Sequence, residues 1–168
     1  MAEKEEKAVL IAISPKELLK IVNGDKTIEV RLSAPKREFP IDVYVYCSKG
    51  KEDMSDYGAW WLSWHRKSKN LPPLEEYAIQ GKIVARFVLL KTEKFADGTR
   101  PMSDYKRILD KVCMSVEQAV AYRKGKPLFA WYIDEFEILE KPIELPDLKG
   151  RRVCDKYHPK SWKYIEVE

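Results

Sequence analysis

Histidine and cysteine, the residue types that build most structural zinc sites, are scarce in this sequence. The two histidines, His65 and His158, are isolated and have no visible acid or nucleophile partner. The three cysteines, Cys47, Cys113 and Cys154, are odd in number and share no metal-ligand spacing. A zinc site would need ligands that the sequence does not offer. We therefore expect no metal, no cofactor, and reduced thiols in a cytoplasmic protein.

Long apolar runs and targeting signals are also missing. No run approaches the roughly 18 apolar residues of a membrane span, and residues 1–7 are too acidic for a secretory or organellar signal. No repeat, low-complexity tract or linker divides the 168 residues, and 45% hydrophobic content is ample for a core. We predict a single domain over residues 1–168 that does not enter a membrane, with residues 1–7 as a flexible tail.

Charge is mildly basic, with a formal net charge of +4 and a pI near 8.8. Residues 141–163 carry seven Lys or Arg against three acidic residues, so their excess of four equals that of the whole chain. Two interpretations stay open. The segment is either a basic face that steers a phosphate backbone or a solvated surface loop.

Residues 24–31, Gly-Asp-Lys-Thr-Ile-Glu-Val-Arg, mark the place where a helix ends and a strand begins. Upstream, Ser14 and Glu17 form a capping box with proline at the first helical position, and an apolar stripe follows. These signals predict a helix over residues 14–23. Gly24 then stands where a left-handed residue would end it.

Two cations and a carboxylate accompany the strand. From Lys26 the hydrophobic pattern has a period of two, which places Ile28 and Val30 on one face and Glu29 and Arg31 on the other. Polar groups on rigid elements are how binding sites are usually built. The alternative is a surface strand whose Glu–Arg ion pair is worth under about 1 kcal/mol.

A short apolar run predicts a strand over residues 9–13, alternation predicts one over residues 41–47, and further strands are predicted over residues 82–94, 128–138 and 161–167. The second of these is expected to be half-buried. The phase of the pattern changes near Asp134 and Glu135, which predicts a β-bulge. Cap signals predict two short helices over residues 104–113 and 115–124. The pattern is typical of a small, mostly antiparallel barrel decorated with helices.

The order of these elements resembles the ASCH domain family of the PUA-like superfamily, in its bacterial and phage branch. The family's fixed motif is present at four positions: Gly24, Lys26, Glu29 and Arg31. The resemblance implies an α+β fold, a small PUA-like β-barrel with a short N-terminal helix at a cleft. It leaves residues 48–80 and 97–126 as insertions between barrel strands.

The resemblance also implies a binding site. Family members place the motif lysine, glutamate and arginine in a cleft, which points to Lys26, Glu29 and Arg31, and we expect these to converge on one water-accessible cleft. Relatives hold a base in an aromatic pocket, so Trp131 is a candidate wall, and a plain core tryptophan is the alternative. Ser161 resembles a cleft serine of the family, with an ordinary strand-start serine as the alternative.

The insertion over residues 48–80 contains a cluster of aromatic and basic residues. Trp60, Trp61 and Trp64 precede His65, Arg66 and Lys67, a mixture that stacks bases and tracks phosphates. Trp61 and Trp64 are three apart and share a helical face, so burial against the barrel is the simpler interpretation. We place Trp64 among the ligand-binding candidates and expect the insertion to pack over the rim of the cleft.

Two functions from different classes fit these residues. The favoured one is a nucleic-acid-binding module that holds RNA or a modified nucleotide in the Lys/Glu/Arg cleft. The alternative is a metal-independent hydrolase, either a ribonuclease using Lys26 with Tyr46 or Ser161, or an amidohydrolase acting on a modified nucleoside. Amidohydrolases of the family carry a threonine nucleophile where this chain has Glu29, which disfavours that last activity. The sequence does not indicate the oligomeric state.

Overall fold

The computed structural model describes residues 6–48, 81–144 and 161–167, and the structural statements that follow refer to these residues. They form six strands and three α-helices. In chain order these are β1 (Glu6–Ile13), α1 (Pro15–Val22), β2 (Ile28–Arg31), β3 (Ile41–Cys47), β4 (Ile83–Phe95), a 3-10 helix (Met102–Tyr105), α2 (Lys106–Val112), α3 (Val116–Arg123), β5 (Leu128–Ile143) and β6 (Trp162–Val167).

The strands form one mixed sheet in the order β2-β5-β4-β3-β1-β6. β1 pairs in parallel with β3 and antiparallel with β6, whereas β2 pairs antiparallel with β5. The parallel pair requires a long connection between its strands, and the chain between β1 and β3 contains α1 and β2. The order of the strands places β2 at one edge of the sheet, where one row of its backbone groups points away from β5.

One compact unit lies within Met1–Leu18, Asp42–Phe87 and Phe136–Glu168. Its central strands are apolar, and the side chains from Val9 to Ile11 have no exposed surface. Arg86 of β4 contacts Asp42 of β3 at 2.8 Å and Glu137 of β5 at 3.4 Å. These ion pairs tie together three neighbouring strands.

The second compact unit lies within Leu19–Ile41 and Val88–Glu135. Its core brings together buried residues of β2, the end of β4 and the loop after it, the 3-10 helix, α2, α3 and β5: Ile28, Val30, Phe95, Ala96, Met102, Leu109, Val112, Ala119, Leu128 and Ala130. The predicted helix from Ser115 is confirmed as α3. Its capping box is complete, because the Gln118 N–H donates to Ser115 Oγ at 3.1 Å and the Ser115 N–H donates to Gln118 Oε1 at 2.9 Å.

Several predicted boundaries agree closely with the structure. α1 begins one residue after Ser14 and ends one residue before position 23. β3 has the predicted bounds, while β5 continues five residues beyond its predicted end at 138. Near the position of the predicted bulge, Glu135 has a left-handed φ of 47° within β5, a conformation that occurs at β-bulges.

Other expectations differ from the structure. The prediction that β3 is half-buried is wrong, because Tyr44 and Tyr46 are buried as fully as its aliphatic residues. β3 lies between β1 and β4, and core packs on both of its faces. β1 begins at Glu6, inside the stretch expected to be a tail. The chain divides into two compact units, and the single domain over residues 1–168 stays a prediction.

The two predicted insertions are described to different extents. Residues 97–126 contain the 3-10 helix, α2 and α3. Residues 49–80 lie outside the described residues, so the packing expected for them stays a prediction. In the part of the chain that the structure describes, no helix has the length and apolar character needed to cross a membrane.

Candidate functional site

The end of α1 fixes the backbone from which Lys26 projects. Gly24 has a φ of 83°, as predicted for the residue that ends the helix. Its N–H donates to Ile21 O at 3.0 Å, and the Asp25 N–H donates to Lys20 O at 3.0 Å, which is the Schellman pattern. The Lys26 N–H donates to the same Lys20 oxygen at 3.0 Å. Three hydrogen bonds thus hold the turn that leads into β2.

β2 is anchored at its first residues by neighbours on both sides. The Thr27 N–H donates to Lys111 O of α2 at 2.9 Å, and the Ile133 N–H donates to Thr27 O at 3.1 Å. Along the strand, Glu29 lies opposite Trp131 in the register with β5. The strand that carries the candidate charges is therefore rigidly placed, as a preorganised site requires.

The structure brings Lys26, Glu29 and Arg31 together. Lys26 Nζ lies 3.1 Å from Glu29 Oε2, and Arg31 Nε lies 3.7 Å from Glu29 Oε1. The Val30 N–H donates to Glu29 Oε1 at 3.1 Å. We call these three charged residues the charge triad. One carboxylate thus contacts two cations and a backbone amide.

The charge triad is more buried than the sequence suggested. Lys26 is 4% exposed and Glu29 is 6% exposed, although a water-accessible cleft was expected. Only Arg31 keeps intermediate exposure. Removing a carboxylate from water costs several kcal/mol unless opposite charges and hydrogen bonds offset it. The two cations and the Val30 amide supply that compensation for Glu29.

The carboxylate of Glu29 lies at the outer edge of the sheet. Thr27 O points towards β5, and backbone groups of alternate residues point to opposite sides of a strand. The Val30 N–H therefore points away from β5, and the Glu29 oxygen that accepts its hydrogen bond must lie beyond the edge strand. In this position the carboxylate also covers an edge amide that would otherwise be open to pairing with another chain.

Tyr122 of α3 is a further residue near the charge triad, and no pattern in the sequence pointed to it. Burial raises the pKa of its phenol, the positive charges of Arg31 and Lys26 act to lower it, and the charge of Glu29 acts to raise it. All three charges of the triad thus act on one half-buried hydroxyl. Tyr122 lies within the predicted insertion over residues 97–126, for which the family resemblance offers no counterpart.

Trp131 lies in the core. Its ring has no exposed surface, and its Nε1–H donates to Ser33 O at 3.1 Å. Directly opposite residues of paired strands project from the same face, so the ring lies beside the side chain of Glu29. In this conformation the indole is placed to support the glutamate, and a ligand would reach the ring only by displacing its neighbours.

Tyr46 and Ser161 belong to the other compact unit, where they flank Ala12. Tyr46 is the register partner of Ala12 on β3, and the Ala12 N–H donates to Ser161 O at 2.9 Å. Burial raises the pKa of Tyr46, with smaller contributions in the same direction from Cys47 and Glu144. Glu144 in turn lies 3.5 Å from Lys82 Nζ.

The remaining candidates divide into those outside the described residues and those that are buried. Trp64 and the basic residues between 149 and 160 lie outside. Cys47, expected to be buried and inert, has no exposed surface, and burial raises its pKa to about 12. Among the residues that the structure describes, no group of three or more His, Cys, Asp or Glu side chains is arranged to hold a metal ion.

The fold is α+β and PUA-like, which confirms the predicted fold class. More specifically, it is the fold of the ASCH domain. The crystal structure of ASCH from Zymomonas mobilis matches with a TM-score of 0.60 and 15% sequence identity, covering 95% of this chain and 88% of that one. A single-residue variant of the same protein matches with a TM-score of 0.59 and 14% identity, covering 94% and 88%. No protein-family model and no curated protein matches the sequence.

Proposed function

We propose that the protein binds RNA, or a modified nucleotide, at the charge triad. The observation that supports this proposal is a carboxylate buried against two cations beyond the edge of β2. A salt bridge made only for stability is weakly favoured at such a depth, because desolvation offsets most of the attraction. A rigid pair of cations held in a dry site is, by contrast, well suited to an anionic ligand.

Arg31 is the part of the triad best placed to meet that ligand. It is the most exposed of the three side chains, at 12% against 4% for Lys26 and 8% for Glu29. Glu29 contacts Arg31 at Nε, at the base of the guanidinium fork. The two terminal nitrogens form the planar fork that matches a phosphate or the edge of a base. Glu29 is therefore an orienting group, and Arg31 is the proposed ligand-binding group.

Charge elsewhere in the chain supports an anionic partner. Residues 141–163 carry an excess of four positive charges. Each phosphate that such a segment neutralises releases counterions, so we expect binding to weaken steeply as salt increases. The segment would then contribute affinity and steering, while the triad would contribute the specific contact.

The proposal is tested by comparing two strand arginines that both pair with carboxylates. Arg31→Gln should weaken binding of single-stranded RNA about 10- to 100-fold, as expected for loss of a hydrogen bond to a charged group. Arg86→Gln is the matched control, since Arg86 pairs with Asp42 and Glu137 in the other unit. Fluorescence anisotropy with a labelled oligoribonucleotide measures both. Equal losses in the two variants would count against a site at the triad.

A second candidate function, metal-independent RNA cleavage, is favoured by the row of Tyr46, Ala12 and Ser161. Registered partners on adjacent strands project from the same face, and two strand spacings separate the outer members by about 10 Å. Lys82 and Glu144 add a cation and a carboxylate near Tyr46.

This second function predicts cleavage of single-stranded RNA without metal, while the matching DNA stays intact, because the attacking group is the ribose hydroxyl. Ser161→Ala or Tyr46→Phe should then slow cleavage with little loss of RNA binding. Recovery of intact RNA after long incubation with clean protein would leave binding as the function. An amidohydrolase activity stays disfavoured, because a carboxylate at position 29 cannot replace a threonine hydroxyl.

A further inference from the structure

We propose that the Tyr122 hydroxyl and the Arg31 guanidinium together bind one phosphodiester group of the ligand. This inference rests on the proposed function for its biological ligand, and it assigns a residue and a chemical class that the function alone does not. It makes the inserted helix α3 a part of the binding site.

The position of Tyr122 follows from how α3 is held. The capping box of Ser115 and Gln118 fixes the start of the helix. Ala119 has no exposed surface and packs in the core shared with Ile28 and Val30 of β2. Residues three apart lie on the same side of a helix, so Tyr122 projects in the direction of Ala119. Its ring packs against this same core.

The charge triad is within reach of that position because Glu29 lies beyond the edge of β2. A side chain packed on the Ile28 and Val30 face would be shielded by the sheet from a group on the opposite face. The hydrogen bond from the Val30 N–H holds Glu29 Oε1 at the edge of the sheet, and Arg31 Nε lies 3.7 Å from that same oxygen. The action of all three triad charges on the pKa of Tyr122 agrees with this geometry.

The chemistry of the pair selects the ligand class. Burial raises the pKa of Tyr122, so its phenol remains protonated at neutral pH and donates a hydrogen bond without bringing a charge. Arg31 brings a permanent positive charge and a planar set of donors. A neutral donor beside one guanidinium matches a singly charged phosphodiester, whose two free oxygens accept from both groups. Such a contact reads the backbone and not the base sequence.

The test compares two half-buried tyrosines that pack against the same core. Tyr122→Phe removes only the proposed donor. Tyr105→Phe is the matched control, because Tyr105 packs against that core with its ring 5.4 Å from the ring of Phe95. We expect Tyr122→Phe to weaken binding of a single-stranded oligouridylate about 10-fold and Tyr105→Phe to leave it unchanged. Thermal melts of both variants check that neither change acts through stability.

A second probe, dimethyl phosphate, carries the phosphodiester without the rest of the nucleotide. Its binding is followed by the chemical shift of the Tyr122 ring carbons, and we expect a shift that Arg31→Gln abolishes. If Arg31→Gln weakens RNA binding but Tyr122→Phe does not, the inference is wrong while the proposed function stands. If Tyr122 responds to dimethyl phosphate but the protein binds no RNA, the proposed function is wrong while the inference stands.

Two further outcomes would overturn the inference. If Tyr122→Phe binds normally and Tyr122→Ala does not, the ring stacks on a base and the hydroxyl is not a ligand. If the wild-type protein binds neither probe, there is no phosphodiester site at Tyr122.

A pH series provides an independent measurement. Ionisation of Tyr122 removes the donor and adds a negative charge, so wild-type affinity should fall at high pH more steeply than that of Tyr122→Phe.

Discussion

Replacing Glu29 by glutamine tests whether the charge triad is a buried electrostatic unit. The substitution preserves the shape of the side chain and an oxygen that can accept from the Val30 N–H. It removes the negative charge that lies 3.1 Å from Lys26 Nζ and 3.7 Å from Arg31 Nε. Lys26 is 4% exposed, so its ammonium would remain buried without its counter-charge.

The size of the expected effect follows from this burial. Breaking a buried ion pair by removing one partner destabilises a protein by about 3–5 kcal/mol. For a chain of this length each kcal/mol corresponds to about 2–4 °C in Tm, so the melting temperature should fall by about 6–20 °C. Differential scanning calorimetry and urea denaturation measure the loss.

The control for this prediction is a second strand glutamate paired with an arginine. Glu137 lies 3.4 Å from Arg86 Nη1, but its side chain is 58% exposed. Glu137→Gln should therefore cost at most about 1 kcal/mol. A double variant, Lys26→Met with Glu29→Gln, should recover part of the stability because the more deeply buried cation is removed together with its counter-charge, while the more exposed Arg31 is kept. If Glu29→Gln cost no more than Glu137→Gln, the triad would be solvated and our reasoning about its burial would be refuted.

Two further predictions concern backbone conformation and titration. Glu135 has a φ of 47° in β5. Glycine adopts this conformation without strain, so Glu135→Gly should retain or raise the free energy of unfolding, whereas Glu135→Val should lower it by about 1–2 kcal/mol; equal urea midpoints would contradict this. Burial, helped by a 2.7 Å hydrogen bond to Glu93, raises the pKa of Tyr132 to about 12. Stability from this shift is fully present below pH 10 and is lost as pH rises towards 12. Ultraviolet difference titration should show the Tyr132 pKa falling in Glu93→Gln, and an unchanged titration would argue against the contact.

Local sequence signals predicted the helices and strands whose ends are set by residues close to them in the sequence. The cap at Ser14 and the left-handed Gly24 bound α1 because they act on backbone groups within one turn. The period-two pattern likewise located β3 to the residue. The motif from Gly24 to Arg31 also led to the family resemblance, and the fold agrees with it.

Tertiary structure alone decided how deeply these residues are buried. Alternation along β3 distinguished its two faces, but it carried no information on what covers the polar one, and Tyr44 and Tyr46 proved to be buried. Alternation along β2 likewise carried no information on how deeply Glu29 is buried. Its burial depends on partners such as Trp131, about a hundred residues along the chain.

Tyr122 shows the same division for the candidate site. Sequence spacing predicted its helix and its cap, because both arise from residues within one or two turns. The meeting of that helix with β2 depends on a core assembled from residues far apart in sequence. Packing of such residues is set by the shapes and areas they bury together, which no local pattern encodes. The sequence therefore determined which charged side chains lie on and beside β2. The tertiary structure decided that their charges affect the pKa of Tyr122.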